Sequence, residues 1–384
     1  MEILVPLVDL DFGKEESQAV LDVLNKRWLT MGAVTREFES QFAEISGVKH
    51  ALAVSNGTMA LHLACLILGI GPGDEVILPS LTFVATANAL LYTGAEVRFA
   101  DIIGPNELNI SPESIEKQIT PRTKALIVMH YGGYPCRMRQ IMEIAARNNL
   151  AVIEDAAHAP GARLEGRALG TWGDVGCFSF FSNKNLVTGE GGMLVTQRDD
   201  LAEKARLLRS HGMTSRTWDR HKGHAYSYDV VELGYNYRID EMRSALGLVQ
   251  LSKLDRNNKR RMAITQTYWG ALGGSRLGLP FRDLTAKSIK SGAYHIFPVL
   301  LPEGVRRNAF MDSLRTAGIQ TSIHYPPIHQ FSYHRRLVSG VTLPQTERVA
   351  EREVTLPLYS SMSDSQVGLV LEAVKGALEG AGAG

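Results

Sequence analysis

Short apolar runs recur along the first half of the chain, at Glu75–Leu78, Glu96–Phe99, Ala125–Met129, Ala151–Ile153, Val175–Phe180 and Met193–Thr196. Continuous apolar runs, in place of a strict alternation of apolar and polar residues, are the mark of strands buried on both faces. Helical stretches separate them. This order predicts an α/β fold: a mostly parallel, mixed sheet covered by helices on both faces. The pattern changes near residue 250, where Leu246–Met262 reads as a long helix with basic residues gathered at its far end. A boundary there gives a large domain at 1–250 and a smaller C-terminal α/β domain at 251–384. The smaller one would hold a strand-like Ala293–Leu301, a helix at Asn308–Ala317 and a C-terminal helix at Asp364–Leu378.

Composition agrees with this picture. At 384 residues the chain exceeds a typical single core, and 45% hydrophobic with 21% charged residues is ordinary for a globular protein. A formal net charge of +1 gives no reason to expect a nucleic-acid partner. No signal-peptide pattern and no uninterrupted apolar stretch of about 18 residues is present, so no membrane partner and a cytoplasmic location are expected. Cys65, Cys136 and Cys177 are widely scattered in apolar or mixed surroundings, which suits reduced structural thiols. No zinc or redox motif occurs. Gly69-Ile70-Gly71-Pro72-Gly73-Asp74 looks like a dinucleotide fingerprint, but it follows a helix and precedes a strand, so it reads as a helix stop and turn.

Three segments carry candidate chemistry. Lys184 lies in Phe178-Ser179-Phe180-Phe181-Ser182-Asn183-Lys184-Asn185-Leu186, where an ammonium among apolar residues must have its pKa lowered or its charge neutralised. On these nine residues alone, an ordinary loop lysine is the simpler reading. Val152-Ile153-Glu154-Asp155 reads as a buried parallel strand that delivers Asp155 at its carboxyl end, where open α/β sheets bind ligands. Ser55-Asn56-Gly57-Thr58 precedes a long apolar helical stretch, and such a helix start exposes unpaired N–H groups that bind phosphate. A phosphate cradle, a strand-end aspartate and a loop lysine are the fixtures that pyridoxal 5′-phosphate requires. The lysine forms a Schiff base with it, and the aspartate keeps its pyridine nitrogen protonated.

The chain resembles the DegT/StrS-type aminotransferases, pyridoxal-phosphate enzymes of the aspartate-aminotransferase fold. The likeness runs almost end to end, through Ser55-Asn56-Gly57-Thr58, Pro79-Ser80-Leu81-Thr82-Phe83, Glu154-Asp155-Ala156-Ala157-His158, Lys184-Asn185-Leu186, Gly189-Glu190-Gly191-Gly192 and Leu233-Gly234-Tyr235-Asn236-Tyr237-Arg238. It implies that Lys184 is both the Schiff-base lysine and the acid–base group, and that Asp155 pairs with the pyridinium. Gly57, Thr58 and Ser179 would hold the phosphate, Phe83 would stack on the ring, and His158 would stand within reach of the phenolic oxygen. Asn236 matches an asparagine that reaches the neighbouring subunit's phosphate, which implies a homodimer with shared active sites.

The same resemblance implies a ping-pong transfer from glutamate or glutamine to a keto group on a nucleotide-linked sugar, with pyridoxamine 5′-phosphate as the intermediate form of the cofactor. His158 in place of Gln is familiar among enzymes acting at C-4. A 3-keto sugar or a cyclitol ketone is the alternative, and a non-catalytic regulatory homologue a further one. The family's dehydratase branch carries histidine in place of the lysine that this chain keeps. Ile323-His324-Tyr325-Pro326-Pro327-Ile328-His329 resembles the family's substrate-site loop, which makes Tyr325 and His329 candidates for substrate contact, along with Arg238. His130-Tyr131-Gly132-Gly133-Tyr134-Pro135 departs from the commoner family wording. Between Lys204 and Arg261 there are 13 Lys or Arg against 6 Asp or Glu, a cationic strip suited to a nucleotide diphosphate, with solvated helix faces an equal alternative for Arg256, Lys259, Arg260 and Arg261. Within it, His211-Gly212 and the Trp218–Tyr228 loop look substrate-facing.

Overall fold

The computed structural model describes residues 3–214, 229–284 and 292–380; the Trp218–Tyr228 loop lies outside them. Seven strands form the main sheet: β1 (His50–Val54), β2 (Glu75–Pro79), β3 (Glu96–Ala100), β4 (Thr123–Met129), β5 (Ala151–Asp155), β6 (Val175–Ser179) and β7 (Gly192–Thr196). Their spatial order is β1-β7-β6-β5-β4-β2-β3. β2 through β6 are parallel, and β7 runs antiparallel to both β6 and β1. The expected mixed, mostly parallel α/β sheet is therefore present.

Successive side chains of these strands divide between two apolar layers, as the two-residue period of a strand requires. Leu52, Val54, Ile127, Ile153, Cys177 and Leu194 face a layer closed by the helices Gly57–Ile67, Ala85–Leu91 and Asp199–Leu208. On the opposite face, Leu126, Val128 and Val152 pack against the helix Met138–Asn148, and Phe178, Met193 and Val195 against Phe38 and Phe42 of the helix Ala33–Ser46. Burial on both faces explains the apolar runs of the inner strands, whereas the edge strand β3 opens with an exposed Glu96 and half-buried Val97 and Arg98. Cys65, Cys136 and Cys177 are buried and free. At Gly69 the chain turns with φ +67° and Ile70 N–H reaches back to the Cys65 carbonyl, the helix stop read from Gly69–Asp74.

The long helix spans Glu241–Leu272, extending the predicted Leu246–Met262 at both ends and passing through residue 250. Its first half packs on the N-terminal helices. Its last turns, with Ile264, Tyr268, Trp269 and Leu272, enter a second apolar cluster shared with β8 (Phe297–Leu300), β9 (Glu353–Leu356) and the helices Arg307–Thr316 and Asp364–Gly380. The change of partner thus occurs along one continuous helix. Val5, from the other end of the sequence, joins the same cluster. The predicted strand Ala293–Leu301 is realised only over Phe297–Leu300. Ahead of it, Ala293 and His295 give their N–H groups to the carbonyls of Gly133 and Gly132, so they dock on the larger sheet's loop and not on a partner strand. Among the described residues, no helix is long and apolar enough to cross a membrane.

One carboxylate anchors the sheet edge that matters most. Glu154, next to the end of β5, is wholly buried and accepts from Gly170 N–H (2.8 Å), Gly173 N–H (2.7 Å) and His130 Nε2–H (2.9 Å). Because Cys136 N–H donates to His130 Nδ1, the imidazole carries its proton on Nε2 and faces the carboxylate as a donor. A carboxylate satisfied by three donors is stable in an apolar layer; donors stripped of it are not. Glu154→Ala is expected to lower the unfolding free energy by about 3 kcal/mol or more, read by urea denaturation, with Glu154→Gln losing clearly less; equal losses would show that the charge has no part.

Candidate active site

The carboxyl ends of β1, β2, β4, β5 and β6 converge on a cavity of about 580 Å³. Beyond β1, Asn56 caps the helix Gly57–Ile67 by accepting the Met59 N–H at 2.9 Å. The first two N–H groups of that helix, on Gly57 and Thr58, have no acceptor among the described residues and border the cavity. A Cβ on Gly57 would stand 2.8 Å from the Ser179 Cβ, so glycine is required where this helix start meets the end of β6. The result is an anion cradle of two backbone N–H groups beside the Ser179 side chain.

Asp155, at the end of β5, lies in the cavity floor and is almost fully buried. Its Oδ2 accepts from Thr86 Oγ1 at 2.7 Å and its Oδ1 from Ala157 N–H at 3.2 Å. Burial raises its pKa, while those two donors and the nearby Lys184 and His130 pull the other way. Lys184 lies on the cavity wall, its backbone N–H bonded to the Phe181 carbonyl. Desolvation lowers the Lys184 pKa to about 8, against a smaller opposing pull from Asp155. An amine so placed is a usable nucleophile and base near neutrality. The buried side-chain oxygen of Asn183, beside it in the cavity wall, has no partner.

Of the residues read from sequence, the fold brings Gly57, Thr58, Phe83, Asp155, His158, Ser179, Lys184 and Tyr325 to one cavity. Phe83 is 54% exposed and its ring centroid is 6.0 Å from that of Tyr325, leaving a face free for a planar ligand. His158 is buried and both its ring nitrogens are engaged within the chain, Nδ1 by Gly132 N–H at 3.3 Å and Nε2 by the Tyr325 hydroxyl at 2.8 Å. Three expected residues, His329, Asn236 and Arg238, do not line this cavity. His329 is buried with Nδ1 on Ser80 Oγ at 2.7 Å and Nε2 on Glu347 at 3.0 Å, so it ties loop to helix and presents no nitrogen to a substrate. Here it is the first histidine of the loop, His324, that faces the cavity. Asn236 is exposed on a surface segment whose neighbour Arg238 bridges to Val54.

His295 belongs to the site without being marked in the sequence: its ring centroid lies 4.2 Å from that of His158 and its Nδ1 meets Asn185 Oδ1 at 2.9 Å. Nothing in its local sequence marks it, since it sits inside an apolar run. The cationic strip is also largely consumed by internal pairs: Arg209 with Glu39, Lys253 with Glu16, Arg256 with Asp11, Lys259 with Asp255 and Arg260 with Asp364. Among the described residues that line the cavity, Lys184 is the only Lys or Arg.

Sheet, cradle, buried carboxylate and poised lysine together define a pyridoxal-phosphate-dependent transaminase. The chain belongs to the DegT/DnrJ/EryC1/StrS aminotransferase family, whose sequence profile matches residues 10–375. It is 41% identical over 379 residues to the spore coat polysaccharide biosynthesis protein SpsC of Bacillus subtilis, covering 96% of each chain. The aminotransferase TlmJ of Streptoalloteichus hindustanus superposes with a TM-score of 0.90 at 36% identity, over 98% of this chain and 99% of that one. A Streptococcus pneumoniae protein solved in its PMP form superposes with a TM-score of 0.91 at 26% identity, over 98% and 100%. The cavity suits the phosphorylated pyridine cofactor on its own evidence: N–H groups without acceptors for an anion, a buried carboxylate for a ring cation, and an amine of lowered pKa.

The lowered lysine pKa has a consequence for the cofactor-free protein. Between about pH 8 and the ordinary lysine value of 10.5, the unfolded chain binds the proton that the folded one releases, so stability rises with pH across that window. Lys184→Met is therefore expected to be more stable than wild type at neutral pH, with the gap closing as pH rises towards 10.5, in paired chemical denaturation. A gap that stays constant with pH would show that Lys184 is not desolvated.

Proposed function

We propose that this enzyme moves an amino group from glutamate or glutamine to a keto group of a nucleotide-linked sugar, at C-4 of a 6-deoxy sugar. The observation that carries the reading is the shared cavity of Lys184, Asp155 and the Gly57–Thr58 helix start. SpsC, named for polysaccharide biosynthesis, supports a sugar as the acceptor. In this reading Gly57, Thr58 and Ser179 hold the cofactor phosphate, Asp155 pairs with the pyridine nitrogen and Phe83 covers the ring. When bound, pyridoxal phosphate supplies an electron sink for the charge that develops at the donor's Cα.

Lys184 performs the proton transfers. Near neutrality a pKa of about 8 leaves a fraction of its amine free to take the Cα proton of the donor, and the resulting ammonium can return a proton when the ketone is aminated. His158 and Tyr325 line the same cavity, and in this reading the donor's 2-oxo acid leaves before the ketone enters. Asn236 and Arg238 act across a dimer interface in this reading. Val230, Val231 and the 83% exposed Leu233 adjoin them, and apolar side chains exposed together suit burial against a second copy.

A cyclitol ketone or a 3-keto sugar is the second reading, and one observation favours it. Among the described residues, the cavity lining offers no Lys or Arg besides Lys184 to meet a diphosphate.

Lys184→Ala is expected to lose the visible absorbance of the bound cofactor together with turnover; a fully active variant would sink the assignment. Converting the protein to its pyridoxamine form and offering ketones one at a time decides the acceptor. Return of the absorbance with nucleotide-linked 4-keto sugars is the expected result, and return only with an inosose would select the second reading. Dilution below the dimer's dissociation range is expected to release cofactor, and a monomer that keeps both cofactor and activity would contradict the shared site.

A further inference from the structure

We infer that Tyr325 is a hydrogen-bond donor to a ligand oxygen inside the cavity, and that His158 is the positioning residue that turns its hydroxyl proton in that direction. The inference rests on the reading of the cavity as a pyridoxal-phosphate site. Its starting point is a tautomer. Gly132 N–H donates to His158 Nδ1 at 3.3 Å, so that nitrogen carries the lone pair. His158 is buried, and desolvation together with the nearby Lys184 and His324 holds it well below the usual histidine range, so the ring is neutral. A neutral imidazole with a bare Nδ1 carries its proton on Nε2. The 2.8 Å contact between Nε2 and the Tyr325 hydroxyl is therefore an N–H donated to the tyrosine oxygen.

That assignment leaves the Tyr325 O–H without an acceptor among the described residues, on a side chain that lines the cavity. The phenol keeps its proton, since burial and the carboxyls of Asp155 and Glu353 push its pKa well above the ordinary value. The backbone of the residue before it is clamped at both its N–H and its carbonyl. Glu353 Oε2 accepts the His324 N–H at 2.8 Å, and the Tyr131 hydroxyl donates to the His324 carbonyl. His324 Nδ1 is tied in turn to Thr355 Oγ1 at 2.9 Å. A donor held by its backbone, its neighbour and its own oxygen is set in direction before any ligand arrives, which is the arrangement that stabilises charge developing on an oxygen. Two ligand oxygens share that chemistry: the cofactor's phenolic oxygen and the carbonyl oxygen of the incoming ketone.

The test compares wild-type holoenzyme with Tyr325→Phe, His158→Gln and His158→Leu. The first measurement is the pH midpoint of the bound cofactor's visible absorbance with no substrate present; the second is kcat and KM of the ketone half-reaction. A Tyr325→Phe midpoint displaced from wild type assigns the acceptor to the cofactor oxygen. An unmoved midpoint with the ketone half-reaction slowed about ten- to hundredfold, the loss of one hydrogen bond to a charged oxygen, assigns it to the ketone. Either result supports the inference. The Gln variant keeps an N–H donor and is expected to fall closer to wild type in both measurements than the Leu variant, which should resemble Tyr325→Phe; the reverse order would overturn the positioning role. A Tyr325→Phe enzyme matching wild type in both measurements would overturn the inference alone, whereas wild-type protein that takes up no absorbing cofactor would overturn the reading beneath it as well.

Discussion

A desolvated amine beside a buried carboxylate is the arrangement on which everything else in this molecule depends. Lys184 must leave water for its pKa to fall to about 8, yet a charge taken out of water is costly unless something opposes it. Asp155 opposes it in part, and burial raises the pKa of Asp155 in turn, so the Thr86 hydroxyl and the Ala157 N–H are needed to steady the carboxylate. Neither group could be held this way on a flexible surface. The carboxyl edge of a parallel sheet solves the problem, because β5 and β6 are fixed by both neighbours while their last residues emerge at a common rim. Glu154 secures that rim from the opposite face through the Gly170–Gly173 turn and His130.

Around the lysine, the polar frame is made of groups kept neutral. His158 and His295 are held well below the usual histidine range and His324 is lowered to about 4, each through burial first and the neighbouring Lys184 charge as well. Rings held neutral serve as fixed donors and acceptors and add no cation to compete with Lys184. The second apolar cluster contributes much of this frame. His295 precedes β8, Glu353 begins β9, and the His324–Tyr325 segment is bonded to β9. The two parts of the chain are therefore coupled chemically as well as by packing, and the long helix Glu241–Leu272 carries one into the other.

Much of the fold was legible from residue order. Six strands of the main sheet were readable as apolar runs because burial on both faces removes polar positions. β1 escaped notice because Ala51 and Ala53 on one of its faces carry little apolar weight. At the site, Asp155, Lys184 and the Gly57–Thr58 helix start were legible for a physical reason: a strand-end carboxylate, a loop lysine and a capped glycine turn are each common alone, but their conjunction in one chain matches the needs of one cofactor. His329 was misplaced because a histidine beside two prolines looks the same whether its nitrogens face a substrate or, as here, Ser80 and Glu347. The pairing of the basic strip was hidden for a similar reason, since carboxylates such as Glu16 and Asp11 lie far away in sequence and meet Lys253 and Arg256 only after folding.

By itself, the sequence determined which groups are available: strands from their apolar runs, a helix start with unpaired N–H groups from its cap, and a lysine in an apolar setting whose status the nine residues around it left open. These properties are local, carried by residues adjacent or nearly adjacent in the chain. Only the tertiary structure decided the direction of each hydrogen bond in the site. His158 is a donor to Tyr325 because Gly132 reaches its other nitrogen, and Tyr325 stands at the cavity because Glu353 and Tyr131, 28 residues after and 194 before it in the numbering, clamp its neighbour's backbone. A tautomer or a charge pairing depends on which atoms arrive within about 3 Å of one another, and that is set by packing between distant segments.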